Sequence, residues 1–256
     1  MNRGRELDPQ WIAGHLLEVS SATERATASV RDHLQRGPGY VAWSGGKDST
    51  AALHIVLQQA PNIPVCWFDS GFEFPETRAF IHDVAEAWNV NLHIMTCRPS
   101  ALDMLEASGA WGAVGSTARV SRRQFHAALI ERPAARAHRV HGRGEVLGLR
   151  AAESAARRRL LATTRGMYQR ENGDNVCAPL WDWSDEMLAA YHGREGIPEN
   201  RVYEKLRAVG APPTQQRAGL VLDGHSLNLG RADYLRLGWP DLWRELTQRF
   251  PLLAVR

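Results

Sequence analysis

The sequence predicts an α/β protein with a doubly wound, mostly parallel sheet, a helical N-terminal segment and an irregular C-terminal extension. Two observations carry this prediction. Short apolar runs alternate with amphipathic segments along much of the 256-residue chain, as in consecutive βα units. In addition, a glycine-containing loop at residues 44–50 connects an apolar run to a helix-like run. Such a strand–loop–helix connection is typical of open α/β sheets.

The predicted elements follow from hydrophobic periodicity and turn residues. Residues 8–35 predict one or two amphipathic helices, with Trp11, Ile12, Leu16, Leu17 and Val19 on one side. The run Arg36-Gly37-Pro38-Gly39 ends them. The predicted strands comprise residues 40–43, 63–68, 90–95 and 145–149. The predicted helices comprise residues 51–57, 76–88, 101–107, 121–131 and 153–164, and we expect an irregular chain after Gly173, with one helix near residues 185–191.

We expect one domain over residues 1–210, including a helical lead-in over residues 1–36, and a C-terminal extension over residues 211–256 packed on it. No apolar run approaches the roughly 20 residues of a membrane-spanning helix, and the first residues lack the apolar region of a signal peptide. We therefore expect a cytoplasmic protein without membrane association. Three widely spaced cysteines indicate reduced thiols and cannot supply the four thiolates of an iron–sulfur cluster.

The positive charge is unevenly distributed. The whole chain has a net charge of only +3, yet residues 119–170 contain 13 arginines against three glutamates. Such a stretch is either a surface for a polyanion or a solvated helix face in a protein that uses arginine for nearly all its positive charge. Its exposed candidates for binding DNA are Arg122, Arg123, Arg136, Arg139 and Arg143.

The loop Ser44-Gly45-Gly46-Lys47-Asp48-Ser49 indicates a phosphate site, because backbone N–H groups and the helix dipole converge at a helix N-terminus. Val41 and Asp48 occupy positions at which a P-loop needs Gly and Ser or Thr, so the loop is not a Walker A motif. It resembles instead the PP-loop of ATP pyrophosphatases, although an ordinary glycine-rich turn is the alternative. Lys47 is one of only two lysines in the chain.

Three further segments resemble motifs of the phosphoadenylylsulfate (PAPS) reductase family, whose fold is adenine nucleotide alpha hydrolase-like. They are Asp69-Ser70-Gly71-Phe72-Glu73-Phe74-Pro75-Glu76-Thr77, then Gly148-Leu149-Arg150-Ala151-Ala152-Glu153-Ser154 with Arg157, and finally residues 179–185 with 197–203. The resemblance implies that ATP binds with Mg²⁺ held through its phosphates and not by the protein. The residues that it implies in nucleotide binding are Ser44, Gly45, Gly46, Lys47, Asp48, Ser49, Asp69, Gly71, Arg150 and Arg157, and those in catalysis are Lys47, Asp48, Ser49 and Arg150.

Two differences from the reductases of this family, the absence of a cysteine after Cys177 and the intact loop at residues 44–49, indicate which reaction to expect. A sulfonucleotide reductase uses a cysteine near its C-terminus, and no cysteine follows Cys177 in the sequence. The intact loop is similar to that of the ATP pyrophosphatases of DNA phosphorothioation, in the branch without an iron–sulfur cluster. That resemblance implies cleavage of ATP to AMP and pyrophosphate, adenylation of a DNA phosphate oxygen, a cysteine desulfurase as the sulfur donor and other modification-system subunits as partners.

The sequence is compatible with other functions. The same ATP chemistry serves thiolation of tRNA or of a small molecule. A second alternative, from a different class of protein, is a non-catalytic subunit that senses ATP. Two cysteines are candidates for relaying sulfur. Cys97 follows a predicted strand and precedes Arg98, which would favour its thiolate, and Cys177 lies in a turn-rich segment. Cys66 falls inside a strand and is expected in the core.

Overall fold

The computed structural model describes residues 9–107, 122–219 and 232–253. The chain divides into two compact units. The first, here called the sheet unit, comprises Met1–Trp67, Val84–His93 and Ala137–Glu199; the second, the helical unit, comprises Phe68–Asp83, Ile94–Arg136 and Asn200–Arg256. The predicted division after residue 210 remains a prediction. None of the described helices has the length and apolar character that crossing a membrane requires.

Six strands form one sheet. They are β1 Gly39–Ala42, β2 Val65–Trp67, β3 Leu92–Ile94, β4 Gly144–Leu147, β5 Met167–Gln169 and β6 Asn175–Cys177. Their order in the sheet is β3-β2-β1-β4-β6-β5. β1 is parallel to β2 and β4, β4 is parallel to β6, and β5 is antiparallel to β6. The predicted α/β class with a mostly parallel sheet is confirmed.

Helices account for most of the remaining described chain. The α-helices are α1 Pro9–Gln35, α2 Lys47–Leu57, α3 Pro75–Ala87, α4 Ala101–Ala107, α5 Arg122–His126, α6 Arg132–His141, α7 Ala155–Thr164, α8 Asp185–Glu195, α9 Val202–Ala208, α10 Ala232–Gly238 and α11 Pro240–Arg249. A π-helical segment, Ala127–Glu131, joins α5 to α6. In the sheet unit, α1 packs on α8, α2 and β6.

The centre of the sheet determines where a ligand can bind. In β1, Val41 lies opposite Val65 of β2 and Val146 of β4. All three are buried, as expected for strands covered on both faces. The direction of strand succession reverses between β1 and β4, and in open α/β sheets the carboxyl edge at this point is the binding crevice. It carries the loop after β1 and the Gly148-Leu149-Arg150 turn after β4.

Two helices differ from their predictions. Leu17 of α1 was expected on the apolar side but is 88% exposed, whereas Val19 and Val30 are fully buried. The helix predicted at residues 121–131 continues through Pro133 to His141. Pro133 is tolerated because it is the second residue of α6, directly after the π-helical segment, where the regular backbone hydrogen bonds are already interrupted.

The chain after Gly173 is more regular than predicted, and strand β5, which precedes Gly173, was not predicted. Strands β5 and β6 have three residues each, too few for a recognisable alternation, and β6 forms because Val176 and Cys177 pair with β4. The C-terminal part, predicted to be irregular, contains α9, α10 and α11. Their apolar residues Tyr203, Leu235 and Leu246 belong to the core of the helical unit together with Phe72 and Phe74. Long-range packing, absent from a local pattern, stabilises these helices.

A buried polar cluster connects paired residues of β1 and β4. The Tyr40 hydroxyl of β1 donates to Glu145 Oε1 of β4 at 2.9 Å, and Arg170 Nη1 pairs with Glu145 Oε2 at 2.7 Å. Glu145 is only 2% exposed. Burial, followed by the neighbouring Glu145 charge, raises the pKa of Tyr40, so the hydroxyl stays protonated and remains a donor. The pair therefore links the two central strands.

Replacing Glu145 with alanine should destabilise the protein by about 3 kcal/mol, because the Tyr40 hydroxyl and the partly buried Arg170 guanidinium lose their acceptor together. Urea unfolding followed by circular dichroism measures this difference. Glu24→Ala, at an exposed position of α1, is the control and should change stability by less than about 0.5 kcal/mol. Equal effects of the two substitutions would contradict a structural role for the cluster.

Candidate active site

The loop after β1 is a compact turn closed by two serine hydroxyls. Ser44 Oγ and Ser49 Oγ are 3.0 Å apart, and the Ser44 amide donates to Ser49 Oγ at 3.2 Å. Gly45 has a φ of +70°, a conformation that favours glycine. The Gly46 amide donates to Ser44 Oγ at 3.4 Å. These contacts hold the loop in a tight curve over the start of α2.

Helix α2 begins earlier than predicted, at Lys47, with Gly46 as its N-cap. Lys47, Asp48 and Ser49 are therefore the first turn of the helix. The Gly46 carbonyl accepts from the Thr50 amide and the Thr50 hydroxyl, each at 2.9 Å. The amides of a first helical turn have no carbonyl partner within the helix and point toward the end at which an anion would bind.

Gly148 explains how the turn after β4 comes so close to this helix. A Cβ atom at position 148 would lie 2.5 Å from the Ser49 nitrogen and 2.6 Å from its Cα atom. Only glycine permits this distance, because no real Cβ approaches a backbone atom so closely. The close contact brings Arg150, two residues further on, to the first turn of α2.

Arg150 is the centre of the site. Its side chain is 4% exposed, and its Nε donates to Asp48 Oδ1 in a short contact. Nη2 donates to Asp185 Oδ1 at 2.7 Å and Nη1 to the Trp183 carbonyl at 3.2 Å. Burial lowers the pKa of Arg150, but the two carboxylates outweigh burial and the pKa is raised. The guanidinium thus ties together α2, the turn after β4 and the start of α8.

Asp185 also contacts the loop lysine. Its Oδ1 lies 3.4 Å from Lys47 Nζ. Burial raises the pKa of Asp185, yet hydrogen bonding to Arg150 and the charge of Lys47 together lower it. The His192 Nε2 atom lies 2.9 Å from the Lys47 carbonyl, and since a carbonyl only accepts, Nε2 carries the proton. Helix α8 therefore holds Lys47 through both its side chain and its backbone.

Asp185 and His192 were not among the predicted site residues. Asp185 lies in the segment that resembles the family motif, but an acidic residue in the first turn of a helix is ordinarily explained by the helix dipole, and Ser184 is the N-cap of α8. His192 follows Asp185 by two helical turns and has no local signal. Both residues reach the loop only through the tertiary packing of α8, which the local sequence does not indicate.

Arg157 is predicted to bind nucleotide, but its contact is local. It lies on α7 in the sheet unit, and its Nη1 pairs with Glu153 Oε2 at 2.5 Å. Its side chain is 42% exposed. Its assignment to nucleotide binding remains a prediction.

Asp69 and Gly71 lie in the helical unit. Asp69 Oδ1 accepts from the Gly71 amide at 3.0 Å, and both carboxylate oxygens contact Arg78, at 3.1 and 3.3 Å. Gly71 has a φ of +81°, and a Cβ there would lie 2.8 Å from the Ser100 side chain. These contacts form a hydrogen-bonded turn within the helical unit. Nucleotide binding by the two residues remains a prediction.

All three cysteines are buried. Burial raises the pKa of the Cys97 thiol to about 11 and of Cys177 to about 12. The expectation that Arg98 favours a Cys97 thiolate is wrong, because burial raises the Cys97 pKa more than the charge of Arg136 lowers it, and Asp69 and Glu73 raise it further. The Cys97 thiol instead donates to the Leu129 carbonyl at 3.5 Å. Cys66 lies in the core, as predicted, and its pKa is likewise raised by burial, to about 12.

The arginines predicted to face DNA are in different surroundings. Arg123 and Arg139 are exposed. Arg136 donates to the Thr96 carbonyl in a short contact, and Arg143 pairs with buried Asp174 at 2.9 Å. Arg122 begins α5, but its side chain lies outside the described residues. Arg136 and Arg143 thus already have protein partners.

The arrangement suits a phosphate group. It combines a helix N-terminus, two hydroxyls and one lysine side chain that is 44% exposed. In the described ranges, no three side chains of the His, Cys, Asp and Glu types are grouped as a metal site requires. A buried guanidinium anchors the carboxylates Asp48 and Asp185 at the rim. Such an arrangement can bind a polyphosphate and stabilise negative charge that develops on it.

Comparison with solved structures supports the fold. PAPS reductase from Candida auris in a phosphate complex superposes with a TM-score of 0.54 at 17% identity, covering 74% of this chain and 91% of that chain. NMN synthetase from Francisella tularensis superposes with a TM-score of 0.51 at 13% identity, covering 70% of this chain and 71% of the other. At these identities the likeness concerns the fold alone.

Sequence comparison is more specific. Phosphoadenosine 5'-phosphosulfate reductase from Xanthomonas axonopodis pv. citri is 30% identical over 189 residues, covering 71% of this chain and 73% of its own length. The enzyme of the same name from Xanthomonas campestris pv. campestris is 29% identical over 197 residues, covering 74% and 76%. Residues 39–238 match the family described as phosphoadenosine phosphosulfate reductase domain. The chain therefore belongs to the phosphoadenosine phosphosulfate reductase domain family.

Proposed function

We propose that this protein is an ATP pyrophosphatase, which cleaves ATP between its α and β phosphates and transfers AMP to an acceptor oxygen. The observation that carries this proposal is the loop Ser44–Ser49 at the N-terminus of α2, with Lys47 held at its rim by Asp185. The loop would bind the β,γ-pyrophosphate. Mg²⁺ would be bound through the phosphates, since the described residues offer no metal site of their own.

The reaction places distinct demands on these residues. The acceptor oxygen attacks the α phosphorus, the bond to the bridging oxygen breaks, and pyrophosphate leaves with an additional negative charge. The amides of the first α2 turn, the Ser44 and Ser49 hydroxyls and the Lys47 ammonium would stabilise that charge. Each of the three Arg150 side-chain nitrogens donates to a protein group, Asp48, Asp185 or Trp183, so we assign Arg150 a positioning role.

We further propose that the acceptor is a DNA backbone phosphate and that the reaction prepares it for sulfur incorporation, with a cysteine desulfurase as the persulfide donor. Resemblance to phosphorothioation enzymes and the arginine excess of residues 119–170 support this acceptor. Because all three thiols are buried, neither Cys97 nor Cys177 would relay sulfur. The terminal sulfur of the desulfurase persulfide would attack the activated phosphorus and displace AMP, and a reducing thiol would then cleave the remaining S–S bond to leave the phosphorothioate.

Reduction of phosphoadenylylsulfate is the second candidate, because the curated relatives are named as that reductase. A thiol nucleophile must be accessible and ionised, and the described cysteines are buried with raised pKa values. Sulfite release from phosphoadenylylsulfate in the presence of a dithiol reductant tests this candidate. Release that disappears in Cys97→Ala or Cys177→Ala would favour the reductase and overturn the ATP pyrophosphatase.

Lys47→Ala should lower pyrophosphate and AMP release from ATP and Mg²⁺ by about 10²- to 10³-fold, because a charge that stabilises the leaving group is lost. Quantifying both products by chromatography excludes a contaminating phosphatase. Lys205→Ala removes the only other lysine, which lies in the helical unit and pairs with Glu76, and should leave the rate unchanged. No release by the wild-type protein with any acceptor would contradict the proposal.

Arg150→Lys should destabilise the protein by about 2–3 kcal/mol and lower pyrophosphate release, because one ammonium cannot reproduce three divergent guanidinium contacts. Arg157→Lys is the matched control: its contact is one partly exposed ion pair, and the stability change should stay below about 1 kcal/mol. Thermal and urea denaturation give both values. A fully stable Arg150→Lys protein would show that the buried network is dispensable.

DNA should stimulate wild-type pyrophosphate release, whereas tRNA and sulfur-accepting small molecules should not, because the proposed acceptor oxygen lies on a DNA phosphate. The measurement compares release with each acceptor, in the presence and absence of a cysteine desulfurase and cysteine. Stimulation by tRNA alone would transfer the proposal to tRNA thiolation. Nucleotide binding without release under every condition would favour an ATP-sensing subunit.

A further inference from the structure

Helix α7 is unusually exposed for an ordered element. Of its ten residues only Leu161 is buried. A helix of this length is marginal in isolation, and most helices are stabilised by packing an apolar face. The α7 surface is nevertheless not apolar: Leu160 is 43% exposed, and most other side chains are alanine, threonine or arginine. The helix therefore offers a large polar face to an external molecule.

The charges on this face are positive and uncompensated. Arg158 and Arg159 are exposed, and in the described part of the chain neither side chain has a hydrogen-bonded or ionic partner. Arg165, the C-cap of α7, is exposed as well. The helix has no acidic residue, and Glu153, just before it, is paired with Arg157. In contrast, Arg136 and Arg143, predicted to face DNA, have protein partners.

Short side chains surround Arg159. The positions three and four residues away on the helix, which share its face, are Ala155, Ala156, Ala162 and Thr163, and all four are exposed. No bulky group separates the guanidinium from an approaching backbone. A protein interface of ordinary size needs an apolar centre, which this face lacks, whereas phosphate contacts need exposed arginines and close approach.

The position of α7 connects it with the active site of the same unit. The helix starts five residues after Arg150, which contacts the first turn of α2, and it is therefore connected directly to the carboxyl edge of the sheet. Its ten residues extend about 15 Å, a length along which one DNA strand carries about four phosphates. A strand that lies along α7 and passes its N-terminal end would approach the chain segment that leads from Arg150.

We propose that α7 is the docking surface for the sugar–phosphate backbone of double-stranded DNA, with Arg158 and Arg159 contacting successive phosphates. This inference rests on the proposed function for the identity of the acceptor. The proposed DNA surface is thus α7, the helix that follows Arg150, in place of the arginines predicted from the sequence, which are Arg122, Arg123, Arg136, Arg139 and Arg143.

The test is the salt dependence of binding to a fluorescein-labelled DNA duplex of about 20 base pairs, followed by fluorescence anisotropy between about 50 and 200 mM NaCl. The double variant Arg158→Gln with Arg159→Gln keeps helix-forming side chains but removes two charges. It should bind more weakly, and the slope of log Kobs against log salt should become shallower by about 1.8. Circular dichroism verifies that α7 and the rest of the protein remain folded.

The matched control is Arg123→Gln with Arg139→Gln, which removes the same charge from exposed positions outside α7 and should leave the slope unchanged. An unchanged slope in the α7 variant, a loss confined to the control variant, or a wild-type protein that does not bind the duplex would each overturn the proposal. Pyrophosphate release from ATP is measured on the same samples. DNA binding through α7 without any pyrophosphate release would refute the proposed function and leave the docking surface intact.

Discussion

The buried guanidinium of Arg150 is the interaction on which the site depends. It joins three parts of the sheet unit that are far apart in sequence. These are Asp48 in α2, the turn after β4 that carries Arg150, and the start of α8, where Trp183 precedes the helix and Asp185 is its first residue. A buried cation is costly unless its donors are satisfied, and here carboxylates and a carbonyl satisfy them. The loop and α8 consequently keep their relative position, and Lys47 remains between them.

The structure also indicates different roles for Lys47 and Arg150, although the family resemblance implies both residues in nucleotide binding and catalysis. Lys47 is half exposed and its contact with Asp185, at 3.4 Å, is long, so its ammonium can exchange a carboxylate for a phosphate. Arg150 is buried and each of its three side-chain nitrogens donates to a protein group, so its contribution is to hold other groups. A flexible point charge suits the changing charge of a reaction, whereas a rigid planar cation suits a framework.

Several features of the fold could be predicted from the sequence because their signals are local. Alternating apolar runs predicted the α/β class, and glycines with an N-terminal helical turn predicted the loop Ser44–Ser49. Two of the six strands escaped prediction, since β5 and β6 have three residues each and form through pairing with neighbours distant in sequence. The helices after residue 200 escaped for a related reason: their apolar residues pack on Phe72, Phe74 and one another.

The sequence by itself determined the fold class, the glycine-containing loop after β1 and the family, because glycine placement and motif order are properties of the chain. Only the tertiary structure decided which charged groups meet. It paired Asp185 and His192 with Lys47, enclosed the three cysteines, and tied Arg136 and Arg143 to the protein while leaving α7 exposed. Burial and partner distance govern pKa and availability, and neither quantity is encoded in local spacing.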